Sequence, residues 1–267
     1  MKKINSLLLC ILFFASANAG KVDTVAVYSK SMQKDIKCVV ITPDNAKKKH
    51  LPVVYLLHGY SGNYAQWIKL APQIASSADE LQMILVCPDG GFSSWYFDSP
   101  VDSSFRYETF VSGELVSYID SHYKTIPDRS GRAITGVSMG GHGGLYLAIK
   151  HKDIYGAAGS TSGGVDIRPF PDNWAIKKLL GDTICCKENW EKNTVINLVQ
   201  NLKNKDLDLI IDCGLNDFFL PVNRAFHQKL QDLKIDHDYI ERPGAHNRAY
   251  WKNSIDYQLL FFKHYFK

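Results

Sequence analysis

The chain has 267 residues, 45% hydrophobic and 22% charged, with a formal net charge of +4. That is the composition of an ordinary globular protein, and it excludes disordered and fibrous classes. Lys2 and Lys3 supply two of the charges, so without them the balance is +4 − 2 = +2, too near neutrality to make an electrostatic case for nucleic-acid binding.

The amino terminus stands apart. Lys2 and Lys3 form a basic start, Leu7 to Phe14 an apolar run, and Ala17-Asn18-Ala19 a small-residue cleavage site before Gly20. This pattern predicts a secretory signal peptide over residues 1–19, because a membrane anchor needs about 20 apolar residues and finds too few. Cys10 lies inside the apolar run rather than after it, which argues against lipidation. The expectation is a secreted or periplasmic protein, residues 20–267, folded as one domain with no membrane span once the signal is removed. Of its five cysteines, Cys38, Cys87 and Cys213 sit in strand-like apolar runs, and Cys185 and Cys186 are adjacent. No pair has zinc-ligand spacing, and the odd number describes no disulfide framework.

Beyond Gly20, "DTVAVYS" and "DIKCVVITP" read as an antiparallel pair. The strands "PVVYLLHG", "MILVCPDG", "RAITGVS", "YGAAGSTSG", "LDLIIDCG" and "HDYIERPG" follow, each a short apolar or β-branched run closed by turn residues. Between them helical patterns span about Tyr64 to Ala78, Tyr107 to His122, Gly140 to Lys150, Val222 to Leu233 and Ala249 to Phe266. Strands alternating with helices predict an α/β fold: a mostly parallel central sheet with helices on both faces, its functional groups at the carboxyl ends of the strands. Two segments interrupt the alternation. Gly90 to Arg106 is a long loop rich in Gly, Ser and aromatics, of a length that usually signals binding. Gly163 to Lys205 reads as a short helical insertion over one edge of the site.

The chemistry centres on "GVSMG", Gly136 to Gly140, which fits G-x-S-x-G: a serine on a strained strand-to-helix turn whose glycines avoid backbone collisions. A chain of this size matches the bare pattern by accident roughly a tenth of a time, so the strand before it and the helix after it decide in favour of Ser138 as nucleophile. A serine hydroxyl needs a histidine base, and the base a carboxylate, in chain order Ser, Asp or Glu, His. Asp217 follows the strand "LDLIIDCG" in a loop free to reach a histidine, whereas its rival Asp212 lies within the strand, its direction fixed by sheet alternation. His246, after the last strand and just before the final helix, has the right place for the base. His122, His151, His227 and His264 fall in or at the ends of helical patterns, His237 begins a strand at the opposite end, and His142 reads as a packing residue on the nucleophile's helix. Two backbone amides, those of Met139 and Tyr60, are expected to form the oxyanion hole. No metal or organic cofactor is required by this chemistry.

The stretches "PVVYLLHGYSGN", "CPDGG", "SWYFDSP", "GVSMGGHGGLYLA", "DCGLNDFF" and "PGAHNRAYW" together resemble the esterase D family of α/β-hydrolases, which includes carbohydrate esterases of the feruloyl and acetyl-xylan type, S-formylglutathione hydrolases and mycolyltransferases. The resemblance implies an α/β-hydrolase fold and a triad of Ser138, Asp217 and His246. It departs at Arg248, where related chains often carry tryptophan. With export, it implies a carboxylic-ester hydrolase that removes feruloyl or acetyl groups from plant polysaccharide. Trp95 and Trp174, with Tyr96 and Phe97, are candidates for an aromatic pocket, for its rim or for the core. The alternatives are a short-chain acyl esterase or S-formylglutathione hydrolase-like enzyme, an acyltransferase, and a non-catalytic carbohydrate-binding protein.

Overall fold

A computed structural model describes residues 20–267; residues 1–19, where the sequence predicts a signal peptide, lie outside the described residues. All eight strands expected from the sequence form, as β1 (Lys21–Ser29), β2 (Lys34–Thr42), β3 (Val53–Leu57), β4 (Ile84–Pro88), β5 (Arg132–Gly136), β6 (Ala157–Thr161), β7 (Asp208–Gly214) and β8 (Asp238–Arg242). They make one sheet in the order β1-β2-β4-β3-β5-β6-β7-β8. β1 and β2 pair antiparallel, β2 runs antiparallel to β4, and every pairing from β4 to β8 is parallel. The parallel arrangement places the carboxyl ends of β3, β5, β6, β7 and β8 on one rim.

The central strands are buried on both faces, which is why they read as continuous apolar runs rather than as alternations. Along β3, Val53, Tyr55 and Leu57 enter one core and Val54 and Leu56 the other. The first core lies beneath the helix Met139–Lys150 and the insertion; the second lies beneath the helices Ile74–Leu81 and Arg248–Tyr265. Among the described residues no helix is long and apolar enough to cross a membrane.

Helix boundaries depart from expectation in two places. The pattern over Tyr64 to Ala78 forms two helices, Gln66–Leu70 and Ile74–Leu81, because Pro72 has no N–H and disfavours helical geometry at the residue before it. Tyr107 to His122 is helical throughout but passes through a π-turn at Phe110–Glu114. The insertion is helical as expected, with Ile176–Leu180, Lys187–Lys192 and Val195–Leu198.

Candidate active site

β5 ends at Gly136, and after Val137 the chain turns sharply into the helix Met139–Lys150. Ser138 sits on the turn with φ 57° and ψ −116°, a left-handed conformation that costs a non-glycine residue roughly 1–3 kcal/mol. The surroundings hold it there: Ser138 N–H donates to Thr161 O at 3.0 Å, and its carbonyl accepts from His142 N–H at 3.0 Å. Two glycines make the turn sterically allowed. A Cβ on Gly136 would lie 2.6 Å from Leu57 O, and one on Gly140 2.6 Å from His58 O. Both obstacles are backbone, so neither can swing aside.

His246, in the loop between β8 and the last helix, reaches this serine. Its Nε2 lies 2.9 Å from Ser138 Oγ, and its Nδ1 lies 3.0 and 2.9 Å from the two carboxylate oxygens of Asp217. A carboxylate only accepts, so Nδ1 carries the proton and Nε2 presents its lone pair to the serine hydroxyl. Asp217 is buried in the loop after β7, and its Oδ1 also accepts from Phe219 N–H at 2.8 Å. Ser138 itself is only 8% exposed. The arrangement can take a proton from Ser138 as its oxygen attacks a carbonyl carbon, and return it to a leaving group.

The rival carboxylate is committed elsewhere. Asp212, fully buried in β7, accepts from Thr161 Oγ1 at 3.0 Å, Ser254 Oγ at 2.9 Å and Gln258 Nε2 at 3.0 Å. Burial pushes its carboxyl above the ordinary value, and these donors with Arg242 oppose the shift. It fastens the sheet to the last helix.

Met139 occupies the first position of its helix, where the backbone N–H has no acceptor within the helix and the helix dipole favours negative charge. The loop after β3 flanks the serine, for a Cβ on Gly59 would stand 3.5 Å from Ser138 Cβ. Tyr60 follows, half-buried, its ring edge-on to Phe92 at 5.0 Å. This loop is braced by residues whose part was not foreseen in the sequence. His58 Nε2 accepts from Gly90 N–H at 2.7 Å, leaving Nδ1–H to donate to Gly59 O at 2.8 Å, and Tyr96 Oη–H donates to His58 O at 3.0 Å. Their signal was present only in hindsight, as a histidine ahead of the turn Gly59 to Gly62 and a tyrosine in a glycine-rich loop.

The aromatic candidates separate. Tyr96 and Phe97 are fully buried, Tyr96 under the loop after β3 and Phe97 against His142 and Tyr146. They belong to the core. Trp95 is buried as well, packed on Trp174 and donating Nε1–H to Trp174 O at 3.3 Å. Trp174, from the insertion, is half-buried and stacks on Phe218 at 5.6 Å; Phe218 in turn lies 4.2 Å from the His246 ring and is 48% exposed. Phe218 was missed, although it directly follows Asp217. His142 is a packing residue as expected: wholly buried, bonded through Nε2 to Asn193 O at 3.0 Å, its basicity lowered to about 4 by burial.

A family model described as "Putative esterase" matches residues 29–262. An esterase of Mycobacterium tuberculosis is 29% identical over 237 residues, covering 78% of this chain and 51% of its own length; the chain spans about half of that relative. An acetyl esterase of Caldicellulosiruptor saccharolyticus is 26% identical over 249 residues, 85% of this chain and 92% of its own. Among solved structures, a ferulic acid esterase superposes with a TM-score of 0.77 at 28% identity, covering 92% of this chain and 99% of that one. The strand order, the turn at Ser138 and this match over most of the length agree: the chain belongs to the esterase family of α/β-hydrolase fold, of the esterase D type.

Proposed function

We propose that the protein is an exported serine esterase that removes a feruloyl or acetyl group from plant polysaccharide by double displacement, residues 20–267 forming its catalytic domain. Ser138 attacks the ester carbonyl while His246 Nε2 takes its proton, and Asp217 holds His246 in the tautomer that can do so. The amides of Met139 and Tyr60 receive the oxyanion. His246 then protonates the departing alcohol, and water repeats the sequence on the acyl-enzyme.

One observation carries the reading: the unbroken relay from Ser138 Oγ through His246 to Asp217, at 2.9 Å and 2.9–3.0 Å. The choice of acyl group draws support from similarity to an acetyl esterase and to a ferulic acid esterase, and from the aromatic surface of Phe218 and Trp174 beside His246. The export step draws on the amino-terminal pattern alone. The test is turnover of 4-nitrophenyl acetate, methyl ferulate and acetylated or feruloylated xylan, with Ser138→Ala in parallel. Hydrolysis of a feruloyl or acetyl saccharide ester that vanishes in the variant is the expected result; turnover that survives Ser138→Ala contradicts it.

A further inference from the structure

Next to the loop after β3 lies a pocket of about 400 Å³ whose walls include Tyr60, Asn63, Gln66, Lys69, Arg248 and Trp251. It adjoins the reacting centre on two sides. Tyr60 directly follows Gly59, which packs against Ser138, and the Trp251 ring meets the His246 ring edge-on at 5.0 Å. Its charge is one-sided: the lining holds two cations and no carboxylate.

Both cations are exposed, and neither pairs with a carboxylate among the described residues. Arg132, Arg168, Arg224 and Arg242, by contrast, each face one. Arg248 does make one contact, donating from Nη2 to Lys69 O at 3.3 Å. That bond brings the guanidinium over the segment carrying the second charge and leaves its other N–H groups uncommitted. Arg248 also opens the helix Arg248–Tyr265, whose first turn carries no acidic residue, so the helix dipole adds to the positive potential. Two cations lining one pocket without a counter-ion favour an anion there, which would also use the planar donor fork of the arginine. The His246 ring thus borders an aromatic surface at Phe218 and a cationic one at Trp251, Arg248 and Lys69.

We propose that this pocket is an anion subsite, and that the preferred substrates are esters bearing a carboxylate on the portion that lies against the loop after β3, received by Lys69 and Arg248. The inference rests on the ester-hydrolase reading of Ser138 and names the class of ester it takes. Lys69 and Arg248 act as specificity residues, not as catalytic ones.

The test compares 4-acetoxybenzoate with 4-acetoxybenzamide, which differ in one charge, each rate divided by that ester's spontaneous hydrolysis. The expected result is a preference of roughly tenfold for the carboxylate, carried by KM, that falls to near unity in Lys69→Gln/Arg248→Gln and on raising the salt to about 1 M, where the Debye length is about 3 Å. The amide is expected to be hydrolysed equally by both proteins, which also shows that the variant is folded. Equal use of the two esters by the wild type, or a preference that persists in the double variant, overturns the subsite while leaving the esterase reading intact. Hydrolysis of neither ester overturns the subsite, and the esterase reading falls with it only where methyl ferulate and the saccharide esters are left intact as well.

Discussion

Asp217 holds the Nδ1 side of His246 with both carboxylate oxygens, at 3.0 and 2.9 Å, while a peptide N–H fixes the carboxylate from behind. Asp217→Asn keeps the shape and removes the charge that selects the Nδ1–H tautomer. It is expected to lower kcat roughly 10³- to 10⁴-fold with little change in KM or in unfolding free energy; steady-state kinetics and urea denaturation read the two effects separately.

Asp212 offers the opposite behaviour. Removing its side chain by Asp212→Ala leaves Thr161, Ser254 and Gln258 without their acceptor in the core, at a cost of about 3 kcal/mol. Because the relay at Ser138 does not involve it, kcat of the folded fraction is expected to change less than tenfold. Urea midpoints of the two aspartate variants, set beside their kcat values, distinguish a structural carboxylate from a triad carboxylate.

The turn beneath Ser138 has no room for a methyl group. Gly140→Ala places a Cβ among the backbone oxygens of Leu57 and His58 and is expected to cost roughly 2–4 kcal/mol. Gly113→Ala, at an exposed position of the π-turn with nothing within 4 Å of its new Cβ, is the paired control. It is expected to stabilise by about 0.5–1 kcal/mol through loss of unfolded-chain entropy. Denaturant unfolding of the two variants checks the opposite signs.

His142 makes stability depend on pH. Its folded value, near 4, lies below the ordinary 6.5 because burial disfavours the imidazolium. Between these values the unfolded chain binds the proton and the folded chain does not, so stability is full above pH 6.5 and falls as pH drops toward 4. The total loss from this group is about 3 kcal/mol. His142→Gln keeps a donor for Asn193 O and cannot titrate. The difference in unfolding free energy between wild type and variant is therefore expected to change by roughly 2–3 kcal/mol between pH 7 and pH 4.5 in favour of the variant.

The reach of sequence reasoning varied with how local the cause was. The strands of the sheet were legible because burial on both faces leaves apolar runs, and Ser138, Asp217 and His246 because strand-ending turns must carry them to one rim. Helix termini followed local rules too, once Pro72 is given its full weight. The destination of an aromatic in a long loop has no such signature. Trp95, Tyr96 and Phe97 are adjacent in sequence, yet all three are buried, and Tyr96 ends as a brace beneath the loop after β3. Phe218 and Trp174 meet across 44 positions of chain, a contact set only when the insertion folds over the rim. His58 is the same case, since its partner Gly90 follows the carboxyl end of the neighbouring parallel strand, 32 positions along the chain.

Phe218 and Trp174 should govern aromatic acyl groups. Phe218→Ala removes a half-exposed ring 4.2 Å from His246 and is expected to raise KM for methyl ferulate about five- to thirtyfold, equivalent to about 1–2 kcal/mol of lost contact, with KM for 4-nitrophenyl acetate nearly unchanged. Parallel kinetics on the two esters check this.

The central claim is that Ser138 is a nucleophile activated by His246. Incubating the protein with a fluorophosphonate, followed by mass spectrometry of its peptides, tests it directly. One phosphonyl group per chain on Ser138, absent in Ser138→Ala and formed at least a hundredfold more slowly in His246→Ala, is the expected result. Labelling at another residue, or at Ser138 with equal speed in the absence of His246, would contradict the account.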